Sequence, residues 1–223
     1  MNYNKWPGSV KYKFDGSSAL TEAFSQAFQE IFVLSVLNGK SNGSYLEIGC
    51  NVPDYTNNTY LLAKEFGWNG VSLDWDKELA SQWATKRPNN TFIAGNATTA
   101  DYKKILEDQF GNQRVIDYLQ VDVEPPVVTL ESLLKLPHDE YRFKVITFET
   151  DCYTGREGEL VRQASREFLY NEGYELIVGD VMVDGKNPYE DWWVDINLVD
   201  RAVANAIRNQ SSYEQRPEKF LFL

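Results

Sequence analysis

Between Ser18 and Leu37 apolar residues recur at Leu20, Phe24, Phe28, Ile31, Phe32 and Val36, the spacing of one helix face, and Asn38-Gly39 ends the run. A short apolar strand at 45–49 follows, then a helix over 56–66, a strand at 70–74 and a helix over 77–85. The alternation continues with a strand at 91–94, a helix over 100–110, a strand at 116–121, a helix over 129–136 and a strand at 145–148. Five strands separated by helical segments predict a mostly parallel sheet with helices on both faces, joined by right-handed crossovers. The last third changes character, with a long helix over 157–171, a strand at 174–181, and then EDWWVDINLV with no clear helix between the two. The turn cluster Asp184-Gly185-Lys186-Asn187-Pro188 predicts that these last two strands pair antiparallel at one end of a seven-stranded sheet.

A chain of 223 residues suits one α/β domain that buries about 70–75 % of the surface exposed when unfolded. Its 43 % hydrophobic and 14 % aromatic content belongs to globular chains rather than disordered ones. The polar, aromatic-spotted first residues read as an arm outside that domain. A net charge of -11 opposes phosphate backbones and anionic lipid, so no nucleic acid and no membrane is expected as a partner. The N-terminus carries no apolar run of signal-peptide length, and no segment approaches the ~20 apolar residues of a membrane span, so a cytoplasmic location is the expectation. Cys50 and Cys152 are too few for a disulfide framework or a zinc set and read as reduced structural thiols.

In open α/β sheets ligands bind beyond the carboxyl ends of the strands, near the point where strand order reverses. The strand ends put Glu47, Gly49 and Asn51, then Asp74, Gly95 and Asn96, Asp122 and Glu124, and Glu149 and Asp151 in that zone. A carboxylate such as Asp74, ending the second strand, can accept hydrogen bonds from both hydroxyls of a ribose. Its blander use as a helix N-cap falls better to Asp76. After the first strand stands Gly49-Cys50-Asn51-Val52-Pro53, not the G-x-G-x-x-G that brings backbone amides to a pyrophosphate. Pro53 offers no N–H and Glu47 and Asp54 add negative charge, which disfavours a diphosphate and with it a nicotinamide oxidoreductase. A cofactor bearing an ammonium and a sulfonium, as S-adenosylmethionine does, suits such an acidic turn by Coulomb attraction.

Five segments carry a family likeness: SQAFQEIFVLSVLNGKSNGSYLEIGCN, NNTYLLAKEFGWNGVSLDWD, VIDYLQVDVEPP, VITFETDCYTG and NPYEDWWVDI. With these in order from about Ser25 to Asp195, the chain resembles the FkbM-like class I methyltransferases. The resemblance implies a single-domain Rossmann-like fold over 18–223, preceded by an N-terminal arm at 1–17. It implies methyl transfer from S-adenosylmethionine to a hydroxyl of a sugar or other small metabolite. It also implies that Glu47, Gly49 and Asn51 carry the methionine side of the cofactor, Asp74 the ribose and Asn96 the neighbourhood of the adenine, while Asp122 faces the transferred methyl. Two positions depart from the family pattern: Val52-Pro53 replaces a usual Asp-Gly, and Thr150 stands where Glu-His-Asp often places histidine.

Methyl transfer is an in-line displacement, so the protein aligns the acceptor oxygen and removes its proton. Asp122, Glu149 and Asp151, with Glu124 beside them, are the candidate catalytic carboxylates, and the first three are also the candidate ligands of Mg²⁺. Crowded carboxylates repel, which raises at least one pKa and leaves a base. The blander reading pairs Glu124 and Glu149 with loop amides or with Arg142 and Arg156. His138 sits in the turn 136–140, predicted solvent-exposed and at the opposite strand ends; of Trp192 and Trp193 one is expected in the core and one near the cleft, as a wall for a sugar ring. A catalytically impaired scaffold that binds the cofactor or a partner is the alternative from another class, motivated by the missing histidine. The sequence leaves a homo-oligomer open.

Overall fold

The computed structural model describes residues 6–223; the first five residues of the N-terminal arm lie outside the described residues. Among the described residues seven strands form one sheet: β1 (Ser44–Ile48), β2 (Asn69–Asp74), β3 (Thr91–Ala94), β4 (Val115–Val121), β5 (Arg142–Glu149), β6 (Glu175–Val181) and β7 (Glu190–Val194). Their order is β3-β2-β1-β4-β5-β7-β6, with β1 to β5 parallel and β7 antiparallel to both of its neighbours. The predicted doubly wound α/β fold and its closing antiparallel pair are therefore present. Strand order reverses between β1 and β4, which sets where a cleft opens.

The helices are α1 (Gln29–Val36), α2 (Tyr60–Phe66), α3 (Ala80–Lys86), α4 (Tyr102–Phe110), α5 (Pro126–Leu134), α6 (Arg156–Asn171), α7 (Arg201–Ser211) and the short α8 (Pro217–Phe220). Because side chains alternate along a strand, each central strand feeds two cores. Tyr45, Tyr118, Val145 and Trp192 face α1, α2 and α7, while Leu46, Leu119, Ile146 and Trp193 face α4, α5 and α6. Val10 and Phe14 are buried, and Val10 forms a bridge with Phe222, so the N-terminal segment packs along the C-terminus.

Three expectations need correction. The helix predicted over Ser18–Leu37 is helical only from Gln29 to Val36. The Glu30 carboxylate accepts the N–H groups of Phe24 (2.6 Å) and Ser25 (2.9 Å), the Gln29 N–H donates to Ser25 Oγ (3.0 Å), and Phe28 is left-handed at φ 62°. These local side-chain bonds outcompete the helical ladder. The apolar spacing instead serves irregular chain, with Phe24 edge-on to Tyr60 and Phe28 edge-on to Phe222.

Trp192 and Trp193 are both fully buried, because β7 runs inside the sheet between β5 and β6 and both of its faces are covered. Neither forms a cleft wall; Trp192 stacks on Phe32 at 4.8 Å and Trp193 meets Tyr170 edge-on at 4.9 Å. His138 is half-buried rather than exposed: its Nε2 lies 2.8 Å from the Leu133 carbonyl, its ring stands edge-on to Phe168 at 5.0 Å, and burial depresses its pKa. Its turn precedes β5 and lies at the amino ends of the strands, as expected.

Removing the indole of Trp192 leaves a cavity against Phe32 and Phe220. Trp192→Ala is expected to cost about 3–5 kcal/mol in urea unfolding, and a cost below about 1 kcal/mol contradicts the packing described.

Candidate functional site

Beyond the carboxyl end of β1 the chain turns at Gly49, φ +81°, where an added Cβ would stand 1.6 Å from the carbonyl oxygen of Asp122. Only glycine lets the end of β1 pass that close to the end of β4. The Gly49 N–H donates to the Leu73 carbonyl (2.8 Å) and the Asp122 N–H to the Ile48 carbonyl (2.9 Å), so three strand ends are tied at one point. Asn51 is left-handed at φ 50°, and its N–H donates to Asp74 Oδ2 (2.8 Å) while the Asp76 N–H donates to Oδ1 (3.0 Å). Asp74 is thereby held at the end of β2 with lone pairs to spare on both oxygens. Asp76 caps the following turn by accepting from the Glu78 N–H (2.9 Å), the role assigned to it over Asp74.

Glu47 lies buried beneath this turn, its Oε2 accepting from Ser72 Oγ (2.7 Å) and Thr59 Oγ1 (3.0 Å), and burial raises its pKa. Arg87, at the end of α3, organises the rest of the loop. It donates to Asn57 Oδ1 (3.0 Å), Thr59 Oγ1 (2.9 Å) and Tyr45 Oη (2.7 Å), and its guanidinium lies 4.6 Å from the centre of the Trp83 ring. Trp83 Nε1 donates to the Asn51 carbonyl (2.9 Å), and Lys86 pairs with Asp54 (2.6 Å). Pro53 is buried in this clamp, its carbonyl turned toward Arg87 at 3.5 Å. The Val52-Pro53 departure therefore sits in the loop's own packing, away from the cleft lining.

The turn borders a cleft of 1030 Å³ over the carboxyl ends of β1, β2 and β4. Glu47, Gly49, Asn51, Asp74, Asn96 and Asp122 all line it, so the structure brings the six expected cofactor residues to one place. Gly95 also lines it, but a Cβ there would meet nothing nearer than 3.9 Å, so no close approach depends on it. Asn96 Oδ1 is engaged by the Thr98 N–H (2.8 Å) and Thr98 Oγ1 (2.9 Å). Among the described residues lining the cleft, the acids are Glu47, Asp74, Asp76, Asp122, Glu124 and Glu131, against the single cation Lys77.

The sequence reading missed three further contributors. Gln26 and Gln29, from the segment mistaken for helix, form one wall. Gln120 is buried on β4, and its Oε1 has no hydrogen-bond partner among the described residues. A glutamine inside the otherwise apolar run YLQV was the signal for the last; nothing local marked the other two.

Glu149 and Asp151 stand outside the lining, grouped with Asp122. The pairing of Val121 with Phe148 sets Asp122 abreast of Glu149, and Glu149 is itself abreast of Glu190. Three acids thus lie across adjacent strands on one face, an arrangement that like charges destabilise. The carboxyls of Asp122 and Glu149 hydrogen-bond to each other, which requires a shared proton, and burial followed by the charge of Asp122 holds Glu149 far above the usual carboxylate range. Burial, then the charges of Asp122 and Glu124, push Asp151 up to about 6. Glu190 is pushed up to about 8 by burial, while its Oε2 accepts from Gln29 Nε2 (2.9 Å) and Trp192 Nε1 (2.7 Å). The blander pairing with Arg142 is not made, since Arg142 holds Asp195 at 2.6 Å. Among the described residues no group of three His, Cys, Asp or Glu side chains is arranged to hold a metal ion, so no step is derived through Mg²⁺. Both cysteines are free and buried, and no helix among the described residues is long and apolar enough to cross a membrane.

No family model matches the sequence, and no curated protein matches it. Among solved structures the fold is similar to that of a Clostridium thermocellum protein assigned as an rRNA methylase, at 15% identity over 78% of this chain and 99% of that one, with a TM-score of 0.52. It is also similar to an O-methyltransferase from Bacillus cereus in complex with S-adenosylhomocysteine, at 15% identity over 74% of this chain and 80% of that one, with a TM-score of 0.51. At such identities the likeness establishes the fold, that of the class I methyltransferases.

Gly49→Ala is expected to lower the thermal midpoint by at least about 8 °C, since the backbone must shift to clear the Asp122 carbonyl; an unchanged midpoint contradicts the contact. A second expectation concerns pH. Glu190 ordinarily titrates near 4.5 and here near 8, so the folded chain keeps a proton that the unfolded chain releases between those values. Its contribution to stability is complete below about pH 4.5 and is lost as pH rises through about 8. Glu190→Gln, which keeps an acceptor oxygen for Gln29 and Trp192, should flatten the fall in thermal midpoint between about pH 5 and 8. Parallel profiles for the two proteins would contradict the assignment.

Proposed function

We propose that the protein is an S-adenosylmethionine-dependent methyltransferase of the FkbM-like kind, acting on a hydroxyl of a sugar or other small metabolite. The observation that carries this reading is the cleft itself, where Asp74 ends β2, Gly49 leaves the backbone bare, and six carboxylates face one lysine. Such a charge balance rejects a pyrophosphate and attracts an ammonium and a sulfonium. The partnerless Gln120 Oε1 adds a buried acceptor that needs a donor. When bound, the cofactor supplies an electrophilic methyl group.

The chain's own residues supply the rest. The free lone pairs of Asp74 accept from the ribose hydroxyls, Glu47 and Asn51 orient the amino-acid end, and Asn96 borders the adenine. Asp122 faces the methyl. Asp122, the member of the group that lines the cleft, takes the proton of the acceptor hydroxyl, with Glu149 and Asp151, the latter pushed up to about 6, grouped behind it. The missing family histidine does not remove this base. Thr150 is buried, with its Oγ1 donating to the Tyr189 carbonyl (3.0 Å). A net charge of -11 supports a small acceptor over RNA and a cytoplasmic enzyme over a membrane-bound one.

Calorimetry with S-adenosylmethionine and S-adenosylhomocysteine tests the reading. Both are expected to bind, and Asp74→Ala should weaken each at least about tenfold, or ~1.4 kcal/mol. Absence of binding by either ligand would sink the enzyme and leave the scaffold; equal binding by the variant would remove the ribose role from Asp74.

A further inference from the structure

One fixed polar group of the cleft has no partner in the fold. Asn58 lines the cleft and is only 7 % exposed, yet among the described residues its side-chain amide makes no hydrogen bond. The partnerless side-chain atoms that are sealed from solvent belong to Tyr12, Ser35, Gln120, His138 and Trp193, so the amide of Asn58 keeps access and opens on the cleft it lines. Its neighbours hold it from both sides. Asn57 Nδ2 donates to the Cys50 carbonyl (3.1 Å) and the Asn57 N–H to the Phe24 carbonyl (3.0 Å), while Thr59 Oγ1 donates to Glu47 Oε2 (3.0 Å). Asn58 is therefore fixed at the end of β1, beside Glu47 and the turn at Gly49, with two N–H donors and an acceptor oxygen free. A buried amide left unpaired costs stability unless a ligand completes it.

We propose that Asn58 receives the carboxylate of the cofactor's amino-acid end through its Nδ2. The inference rests on the methyltransferase reading and deepens it by assigning the one negative group of S-adenosylmethionine. Ammonium and sulfonium suit the six carboxylates of the cleft, but the carboxylate that accompanies them is repelled by all six. It needs N–H donors at the end of β1. Lys77, the single lining cation among the described residues, stands in the turn after β2 beyond Asp74, and Gln26 is exposed, so ordering its side chain costs rotamer freedom. Asn58 brings donors already in place, and hydrogen bonds to an ionised acceptor are stronger than neutral ones. A neutral amide also meets the carboxylate without cancelling the negative potential that attracts the ammonium.

The test is calorimetry on the full-length protein with S-adenosylmethionine and with its decarboxylated analogue, which keeps the ammonium and the sulfonium and lacks only the carboxylate. An acidic cleft without a carboxylate receptor prefers the analogue, whose net positive charge is greater. The native protein is instead expected to prefer S-adenosylmethionine at least about fivefold. Asn58→Ala should weaken S-adenosylmethionine at least about tenfold and leave the analogue within about twofold. Asn58→Asp, of the same size but negative, should shift the preference toward the analogue by at least about tenfold, and it carries the test should Asn58→Ala not fold. Equal native affinities, a native preference for the analogue, or a preference unchanged by substitution at Asn58 would each overturn the proposal. Failure of both S-adenosylmethionine and S-adenosylhomocysteine to bind defeats the methyltransferase reading and this inference with it, whereas binding with the wrong preference defeats only the role of Asn58.

Discussion

The contact between Gly49 and the carbonyl of Asp122 sets the geometry of everything above the sheet. At this point β1 ends, strand order reverses, and β4 delivers Asp122, so the spacing of these two backbones decides how wide the cleft is. A side chain at position 49 would push them apart, and the bonds from Gly49 to Leu73 and from Asp122 to Ile48 would open with it. Asp74 is tied to the same junction through the Asn51 N–H. One glycine thus fixes the relative placement of Asp74 and Asp122, two carboxylates of the cleft that come from strands on either side of β1.

Around that junction the molecule treats buried charge in two ways. At Asp117 and Asp191 a cation meets the buried acid, and the pair recovers its desolvation cost through short charge-assisted hydrogen bonds. Along the row that includes Asp122 and Glu149, protonation does this work instead, with pKa values raised by burial and mutual repulsion. A scaffold without chemistry would gain from replacing such a row with apolar residues of similar size. Its presence next to a large cleft argues for use rather than for architecture.

What could be read in the sequence was whatever periodicity and strand ends encode. The seven strands, the antiparallel closing pair and the six cleft residues follow from apolar runs and from the rule that ligands lie beyond the carboxyl ends. The failures share one cause, long-range or side-chain bonding that leaves no period. Ser18–Leu37 has helical spacing, yet Glu30 captures the backbone of Phe24 and Ser25 and turns the first part into a cleft wall. Trp192 and Trp193 alternate as any strand does, but only the position of β7 inside the sheet buries both. No period or strand end marks Arg87, and it is a buried clamp.

Arg87 also fixes the path of the loop that carries Pro53. Glycine there would let the loop bend toward a ligand by backbone freedom alone; a proline-containing loop needs its path fixed from outside. Arg87, Trp83 and Lys86, all from the end of α3, supply that fixing by holding Asn57 and Thr59, the Asn51 carbonyl, and Asp54. Thr59 then passes the constraint to Glu47 beneath the turn. Flexibility lost at Val52-Pro53 is thus replaced by rigidity taken from the neighbouring helix, and the acidic floor of the cleft inherits its position from a guanidinium that never reaches the cleft.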